Sequence, residues 1–237
     1  IILKMILSIC IPSYNRIEYL DNCLNSILIS SKNVSNFDFE VCVSDNCSEI
    51  DPTEVVNKYK KDFKIIFNKN KKNLGFALNA IKALKLSNGK YAWLIGNDDM
   101  ILANTLSDLK KIFESNIETD FFYINSYYLN SNFLKNYKHP FNTLELENKK
   151  LEVLSKFKEN KEVKFWEIIN PNISWEFLIS MFVCLFNRKM WLDGLDCVNH
   201  KDIEDTRVWS NLINTCLLGK VCSTVLKIKE ALCALNH

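Results

Sequence analysis

The sequence predicts an α/β fold with a mostly parallel central sheet flanked by helices. Three observations carry this. Over residues 1–115, short apolar runs alternate with segments whose apolar residues recur at helical spacing. Strands separated by helices form βαβ units, which set neighbouring strands parallel. Each apolar run is also followed by polar or acidic residues, where doubly wound sheets bind their ligands. Finally, 237 residues with 48% hydrophobic content are ample for a buried core.

The elements follow in order. Met5–Ile11 is the first strand, ended by Pro12. Ile17, Leu20, Leu24, Ile27 and Leu28 share one face of a helix over Ile17–Ile29. Phe39–Val43 is the second strand. Asp51 is the N-cap of the next helix, with Pro52 at its first position and Glu54 three residues after the cap. Lys64–Phe67 is a third strand. Leu74–Leu86 is a helix, closed by Asn88 and Gly89 as a C-cap. Tyr91–Ile95 is a fourth strand and Leu102–Phe113 a fourth helix. The second half is less regular: an aromatic strand over Asp120–Leu129, then a long polar loop over Asn130–Lys150 of the kind that serves as a mobile lid or acceptor-binding segment. Leu178–Phe186 reads as a buried strand and Ile203–Leu217 as a helix. The expectation is one domain over 1–237, with halves 1–115 and 116–237.

Composition removes several function classes. Thirty basic against 28 acidic residues leave a net charge of +2, which makes no electrostatic case for a nucleic-acid binder. The longest apolar runs, Ile1–Ile11 and Phe177–Phe186, fall short of the roughly 20 residues a membrane-spanning helix needs. Lys4 within the first run, and no small-residue cleavage site after it, argue against a signal peptide, and Met5 is the expected start. The nine cysteines show no CxxC pair and no histidine at zinc-finger distance. Cys10, Cys42, Cys184 and Cys222 fall in apolar runs, so the thiols read as reduced, buried small hydrophobes of a cytoplasmic protein.

The chemistry sits after the strands. These ends carry Pro12 to Arg16, then Ser44 to Ser48, then Asn68 to Asn73 with Gly75, then Gly96 to Asp99. Each stretch alone reads equally as a turn, since Asn, Asp and Ser favour turns. Four at one sheet edge point to a site. Adjacent acids such as Asp98 and Asp99 repel, and a divalent cation relieves the repulsion. Magnesium and manganese take oxygen ligands, often one or two carboxylates with substrate phosphates. The alternative, Asp99 as a charge at a helix N-terminus, accounts for one acid and not for two. Tyr14 is placed to stack on a base or to cover the sheet edge, and Asp45 to accept a base N–H. The chain has neither GxxxxGK[ST] nor GxGxxG after the first strand, which argues against a P-loop nucleoside triphosphatase and a Rossmann dehydrogenase.

LSICIPSYNR, VSDNCS, NLGFALN and YAWLIGNDD, in this order, resemble the family 2 glycosyltransferases of the GT-A fold. The resemblance covers residues 5–115. It implies that Pro12, Tyr14, Asn15, Arg16, Asp45, Asn46, Asn73 and Gly75 bind a nucleotide-sugar, together with Asn97 and Asp98. It implies an acidic motif for ribose and metal at Asn97, Asp98 and Asp99, its first position being Asn. Asp99 is then the first ligand of Mn2+ or Mg2+, and Asp98 helps through ribose or water. Family members often carry a Glu-Asp pair at a late helix start, which maps to Glu204 and Asp205. An acceptor hydroxyl is a poor nucleophile until a carboxylate takes its proton, and Asp205 is assigned that role with Glu204 beside it. Asp202 is the second candidate, and a solvated acidic helix start is the structural alternative. His139, His200 and His237 receive no catalytic role. Trp166, Trp175, Trp191 and Trp209 are expected in the core rather than as sugar platforms.

The resemblance therefore implies metal-dependent inverting transfer of a sugar from a nucleotide-diphosphate donor to a glycan or lipid-linked glycan hydroxyl. The implied setting is bacterial surface polysaccharide or lipo-oligosaccharide synthesis at the cytoplasmic membrane face. The lysines of 58–72 and 135–164 read as a solvated face, with peripheral lipid contact as the alternative. Two rivals stand beside this reading. A sugar nucleotidyltransferase would carry a glycine-rich basic loop after the first strand, which is missing. A noncatalytic nucleotide-sugar or glycan-binding module is kept open by Asn97.

Overall fold

The structure is a computed structural model that describes residues 5–115, 119–130, 137–146, 151–153, 162–163, 180–195 and 225–235, with a few single positions between. The regular half runs β1 (Leu7–Ser13), α1 (Ile17–Lys32), β2 (Phe39–Asp45), α2 (Thr53–Tyr59), β3 (Lys64–Lys69), α3 (Phe76–Lys85), β4 (Tyr91–Leu94) and α4 (Thr105–Glu114). There follow β5 (Phe121–Asn130), a 3₁₀ turn (Thr143–Leu146), β6 (Glu152–Val153), β7 (Glu162–Val163), β8 (Cys184–Asn187), α5 (Arg188–Leu195) and β9 (Val225–Leu235).

One sheet takes the order β3-β2-β1-β4-β8-β5-β9-β7, with β6 also paired to β5. β3, β2, β1 and β4 are mutually parallel, and β8 lies antiparallel between β4 and β5. From β1 the chain steps outward to β2 and β3, then returns to place β4 on the other flank of β1. The winding reverses between β1 and β4, so a crevice opens beyond their carboxyl ends.

β1 is buried at every position, as expected of a parallel strand covered on both faces. α3 packs on β1 and β2 through Ala77, Ala80, Ile81, Ala83 and Leu84. α1 lies beside α2 and α4 and buries Leu20, Cys23, Leu24 and Ile27. Among the described cysteines, Cys10, Cys23, Cys42 and Cys184 are buried and Cys47 is exposed, all as free thiols. Burial pushes the Cys184 thiol above its ordinary range; burial and then the Asp99 and Asp98 charges do the same to Cys23. These are inert core groups.

Several boundaries differ from the sequence reading. Pro12 does not end β1, since it pairs with Ser44 inside the ladder. Its missing N–H is on the side where Cys10 accepts the Ile95 N–H at 3.0 Å, and β4 stops there, so no ladder bond is lost. Asp51 caps α2 from one residue further out, its Oδ1 accepting the Thr53 N–H at 2.9 Å. Gly89 is not a left-handed cap. A Cβ there would lie 2.8 Å from the Ser8 nitrogen, and its N–H donates to Ser8 Oγ at 2.8 Å, so it is a close approach to β1. Within the polar loop, 137–146 is seated on α1: Asn22 Oδ1 accepts the Phe141 N–H at 2.7 Å, Asn25 Nδ2 donates to the Phe141 carbonyl at 2.9 Å, and His139 Nε2 meets Asp21 Oδ2 at 3.1 Å. Trp191 is buried and stacked on Phe186 at 5.3 Å, a core residue as expected. The helix read over Ile203–Leu217, Cys222, and Trp166, Trp175 and Trp209 lie outside the described residues.

A second polar cluster closes the opposite end of the sheet. Glu40, fully buried near the start of β2, accepts from Ser8 Oγ at 2.9 Å, from the Asn88 N–H at 2.6 Å and from Lys64 Nζ at 2.7 Å. Burial alone would raise its carboxyl. The bonds from Lys64, Asn88 and Ser8 outweigh that and hold it below its ordinary value.

Candidate functional site

The strand ends are stitched together before any ligand is considered. The Ser13 carbonyl at the end of β1 accepts the Asn46 N–H at 2.8 Å, and the Asp45 carbonyl at the end of β2 accepts the Asn70 N–H at 2.9 Å. Asn79 of α3 lies beneath both loops. Its Nδ2 donates to the carbonyls of Ser13 at 3.3 Å and Ser44 at 3.0 Å, and its Oδ1 accepts from Ser44 Oγ at 2.8 Å and Asn70 Nδ2 at 2.9 Å. The loop after β3 closes on Asn46, whose Oδ1 accepts the Leu74 N–H and whose Nδ2 donates to Asn73 Oδ1, both at 2.8 Å. Gly75 then turns the chain into α3 at φ +78°, a left-handed conformation that favours glycine.

Asn15 holds the β1 loop. It adopts φ +51°, its N–H donates to Ser48 Oγ and its Oδ1 accepts the Glu49 N–H, both at 2.9 Å. Asp45 is fully buried, and its carboxylate accepts from the Ser48 N–H at 3.1 Å and hydroxyl at 2.5 Å. After β4, Asn97 Nδ2 donates to Ser13 Oγ at 3.1 Å. Asp99 is 4% exposed and accepts the Gly96 N–H at 2.6 Å, while Asp98 Oδ2 receives Arg16 Nη1 at 2.5 Å. A Cβ on Gly96 would overlap Asp98 Oδ1 and come within 3.0 Å of Asp99 Oδ2, so the carboxylates fold over a bare Cα.

These residues enclose a cavity of about 470 Å3 at the switch point. Of the predicted residues, Pro12, Tyr14, Arg16, Asn46, Asn73, Gly75, Asn97 and Asp98 line it; Ser13, Phe76, Asn79, Gly96 and Met181 complete the wall. The size suits a small-molecule ligand. Tyr14 and Phe76, 42% and 43% exposed, set two aromatic faces on the wall. Met181, just before β8, brings the second half of the chain to the site. Asn15 lines a smaller neighbouring cavity of about 140 Å3, which shares Ser13 and Arg16 with the first. Asp45 and Asp99 line neither and lie behind these walls. Glu204, Asp205 and Asp202 lie outside the described residues, as do His200 and His237. Sequence reasoning missed Phe76, Met181 and, most consequentially, Asn79. Its signal was a polar side chain at helical spacing among Ala77, Ala80, Ile81, Ala83 and Leu84, where an apolar residue belongs.

The donor set bears on a metal. Among the described residues, no three His, Cys, Asp or Glu side chains gather. Two adjacent carboxylates beside an open cavity do not make an all-protein cage. They fit an ion of the magnesium or manganese type that completes its shell with phosphate oxygens and water.

Residues 8–190 match glycosyl transferase family 2. The chain belongs to this family. Curated relatives include the abequosyltransferase RfbV of Salmonella typhimurium, 38% identical over 113 residues that cover 47% of this chain and 33% of the relative. An uncharacterized glycosyltransferase of Methanocaldococcus jannaschii is 32% identical over 139 residues, 57% of this chain and 47% of that protein. The poly(ribitol-phosphate) beta-N-acetylglucosaminyltransferase TarS of Staphylococcus aureus is 30% identical over 102 residues, 43% and 18%. The matched part thus spans less than half of each of these relatives. TarS solved in complex with UDP-GlcNAc superposes with a TM-score of 0.70 at 20% identity, covering 98% of this chain and 59% of that one. The mannosyltransferase PcManGT of Pyrobaculum calidifontis, solved with GDP-Man and Mn2+, gives 0.60 at 12% identity, covering 97% and 56%. The fold is therefore that of the GT-A glycosyltransferases, as the motif order implied. No helix among the described residues is long and apolar enough to cross a membrane.

Proposed function

We propose that the chain binds a nucleoside-diphosphate sugar in the 470 Å3 cavity and transfers the sugar, with inversion, to a hydroxyl of a glycan acceptor. The observation that carries this reading is the meeting of all four strand-end segments at one switch point, with an aromatic wall, an amide-lined floor and a carboxylate. Tyr14 supplies a face for the base. Asn46, Asn73 and Gly75 shape the wall, and Asp45 holds the turn beside it through Ser48. Asn97 and Asp98 face the ribose and diphosphate region, and Arg16 brings positive charge to the same place. Asp98, with Asp99 behind it, would hold Mn2+ or Mg2+, which when bound neutralises the leaving diphosphate. Asp205 takes the acceptor proton, with Glu204 beside it. The names of RfbV, an abequosyltransferase, and TarS, a poly(ribitol-phosphate) beta-N-acetylglucosaminyltransferase, support a glycan acceptor. That it is a surface glycan, lipid-linked at the cytoplasmic membrane face, is part of the proposal.

The test is a thermal-shift panel of UDP, GDP, CDP and dTDP, each with and without manganese. A ligand that binds only the folded state raises the melting temperature by mass action. A manganese-dependent rise with one diphosphate, lost in Asp98→Asn, supports the reading and names the base. A flat panel on folded protein refutes it.

A further inference from the structure

The ion pair between Arg16 and Asp98 joins the residue that opens α1 to the acidic turn after β4, 82 positions away, across the wall of the cavity. It is a contact between one fixed partner and one movable one. The acidic turn is tied down by the Asp99 bond to Gly96 at 2.6 Å and by Asn97, which donates to Ser13 Oγ at 3.1 Å. The backbone of Arg16 is also held, because its carbonyl accepts the Leu20 N–H at 3.0 Å. Its side chain, in contrast, is 48% exposed against 23% for Asp98, and its guanidinium sits 5.9 Å over the ring of Tyr19. It reaches both the large cavity and the small one. A long cationic side chain on a fixed backbone can change partner at little cost, whereas a short carboxylate on a turn held at both neighbours, Asn97 and Asp99, has little reach.

We propose that Arg16 is an internal counter-cation: it occupies Asp98 in the empty protein, competes there with a divalent ion, and passes to the donor's diphosphate when that arrives. This deepens the reading above and rests on it. The physical basis is that a carboxylate oxygen engaged by a guanidinium has less charge to offer a metal, and a diphosphate offers the guanidinium a stronger anion. Diphosphate binding therefore frees Asp98 for the ion. By linkage the two ligands must strengthen each other by the same factor. Arg16 is thus a positioning residue that sets the cooperativity of donor and metal.

The experiment is a Mn2+ titration, read as free Mn2+ by electron paramagnetic resonance. It uses the wild-type chain, Arg16→Gln and Arg16→Lys, without nucleotide and with UDP, GDP, CDP or dTDP in turn. Melting curves without ligand check that each variant is folded, as expected for a half-exposed side chain. Wild type is expected to bind Mn2+ weakly alone and about tenfold more tightly with its matching diphosphate, within the usual range of coupling. Arg16→Gln should bind Mn2+ alone about tenfold more tightly than wild type and show a smaller enhancement, the remainder being direct ligation of the ion by phosphate oxygens. Arg16→Lys should retain the full enhancement. If Arg16→Gln binds Mn2+ no more tightly than wild type, or keeps the full enhancement, the counter-cation role is wrong while the donor site stands. If wild type takes up no Mn2+ with any of the four diphosphates, the metal–diphosphate reading itself fails and this inference falls with it.

Discussion

Glu40 offers a stability test that leaves the candidate site untouched. It is fully buried at the end of β2 remote from the cavity, and its carboxylate holds Ser8 and the Asn88 backbone in place. Replacing it by alanine removes the buried bond from Ser8 and the half-buried one from the Asn88 N–H, both to a charged acceptor and each worth about 1.5–3 kcal/mol, together with a longer one from Asn88 Nδ2. The Ser8 hydroxyl keeps its bond from the Gly89 N–H at 2.8 Å, and the Lys64 ammonium returns to water. A net loss of about 3 kcal/mol follows, at the low end of the two-bond sum. With a urea m-value of about 2 kcal/mol/M, the midpoint should fall by about 1.5 M. The pH dependence gives an independent check. The folded carboxyl lies below its unfolded value, so its contribution is fully present above the unfolded pKa and is lost as pH falls through the folded one. Wild-type stability should therefore drop more steeply between neutral pH and the acid range than that of Glu40→Gln. Equilibrium urea unfolding at several pH values reads both effects. A midpoint shift under about 0.3 M for Glu40→Ala, with parallel pH profiles for wild type and Glu40→Gln, would refute the account.

Three further outcomes are expected. Gly89→Ala forces a Cβ to 2.8 Å from the Ser8 nitrogen and should cost about 2 kcal/mol, seen as a lower melting temperature with unchanged nucleotide affinity. Asn79→Ala removes a side chain that bonds the ends of both β1 and β2; it should lose about 1–3 kcal/mol of stability and also weaken nucleotide binding by calorimetry, with Asn79→Asp failing to restore either because it lacks the donors to Ser13 and Ser44. Asp205→Asn should lower turnover by about 100-fold or more while leaving the donor-induced thermal shift intact; equal loss of both would remove Asp205 from the role of base.

Much of the first half was legible in the amino-acid order. Strand and helix periods are local, so β1 to α4 could be placed within a few residues. The turn-forming residues after each strand marked the sheet edge where the cavity lies. The errors share a cause. Pro12 looked like a stop because its missing N–H is costly in a paired strand, but only the sheet order shows that β4 has already ended on that side. Gly89 looked like a cap because Asn-Gly favours turns, yet β1 passing close by is what requires it. Asn79 looked like one more residue of a helix face, and its role depends on which strands α3 covers.

The sequence alone determined the parallel βαβ half, the acidic turn after β4 and the family motifs, because each is written in residues close together in the chain. Only the tertiary structure decided that Asp98 rather than Asp99 lines the cavity, that Arg16 pairs with Asp98, and that Asn79 ties two strand ends together. Those outcomes depend on distances between residues up to 82 positions apart, such as Arg16 and Asp98, which no local pattern encodes. Such pairs meet because burying the apolar faces of α1 and α3 fixes where the strands end, and the polar groups must then find partners among whatever lies there.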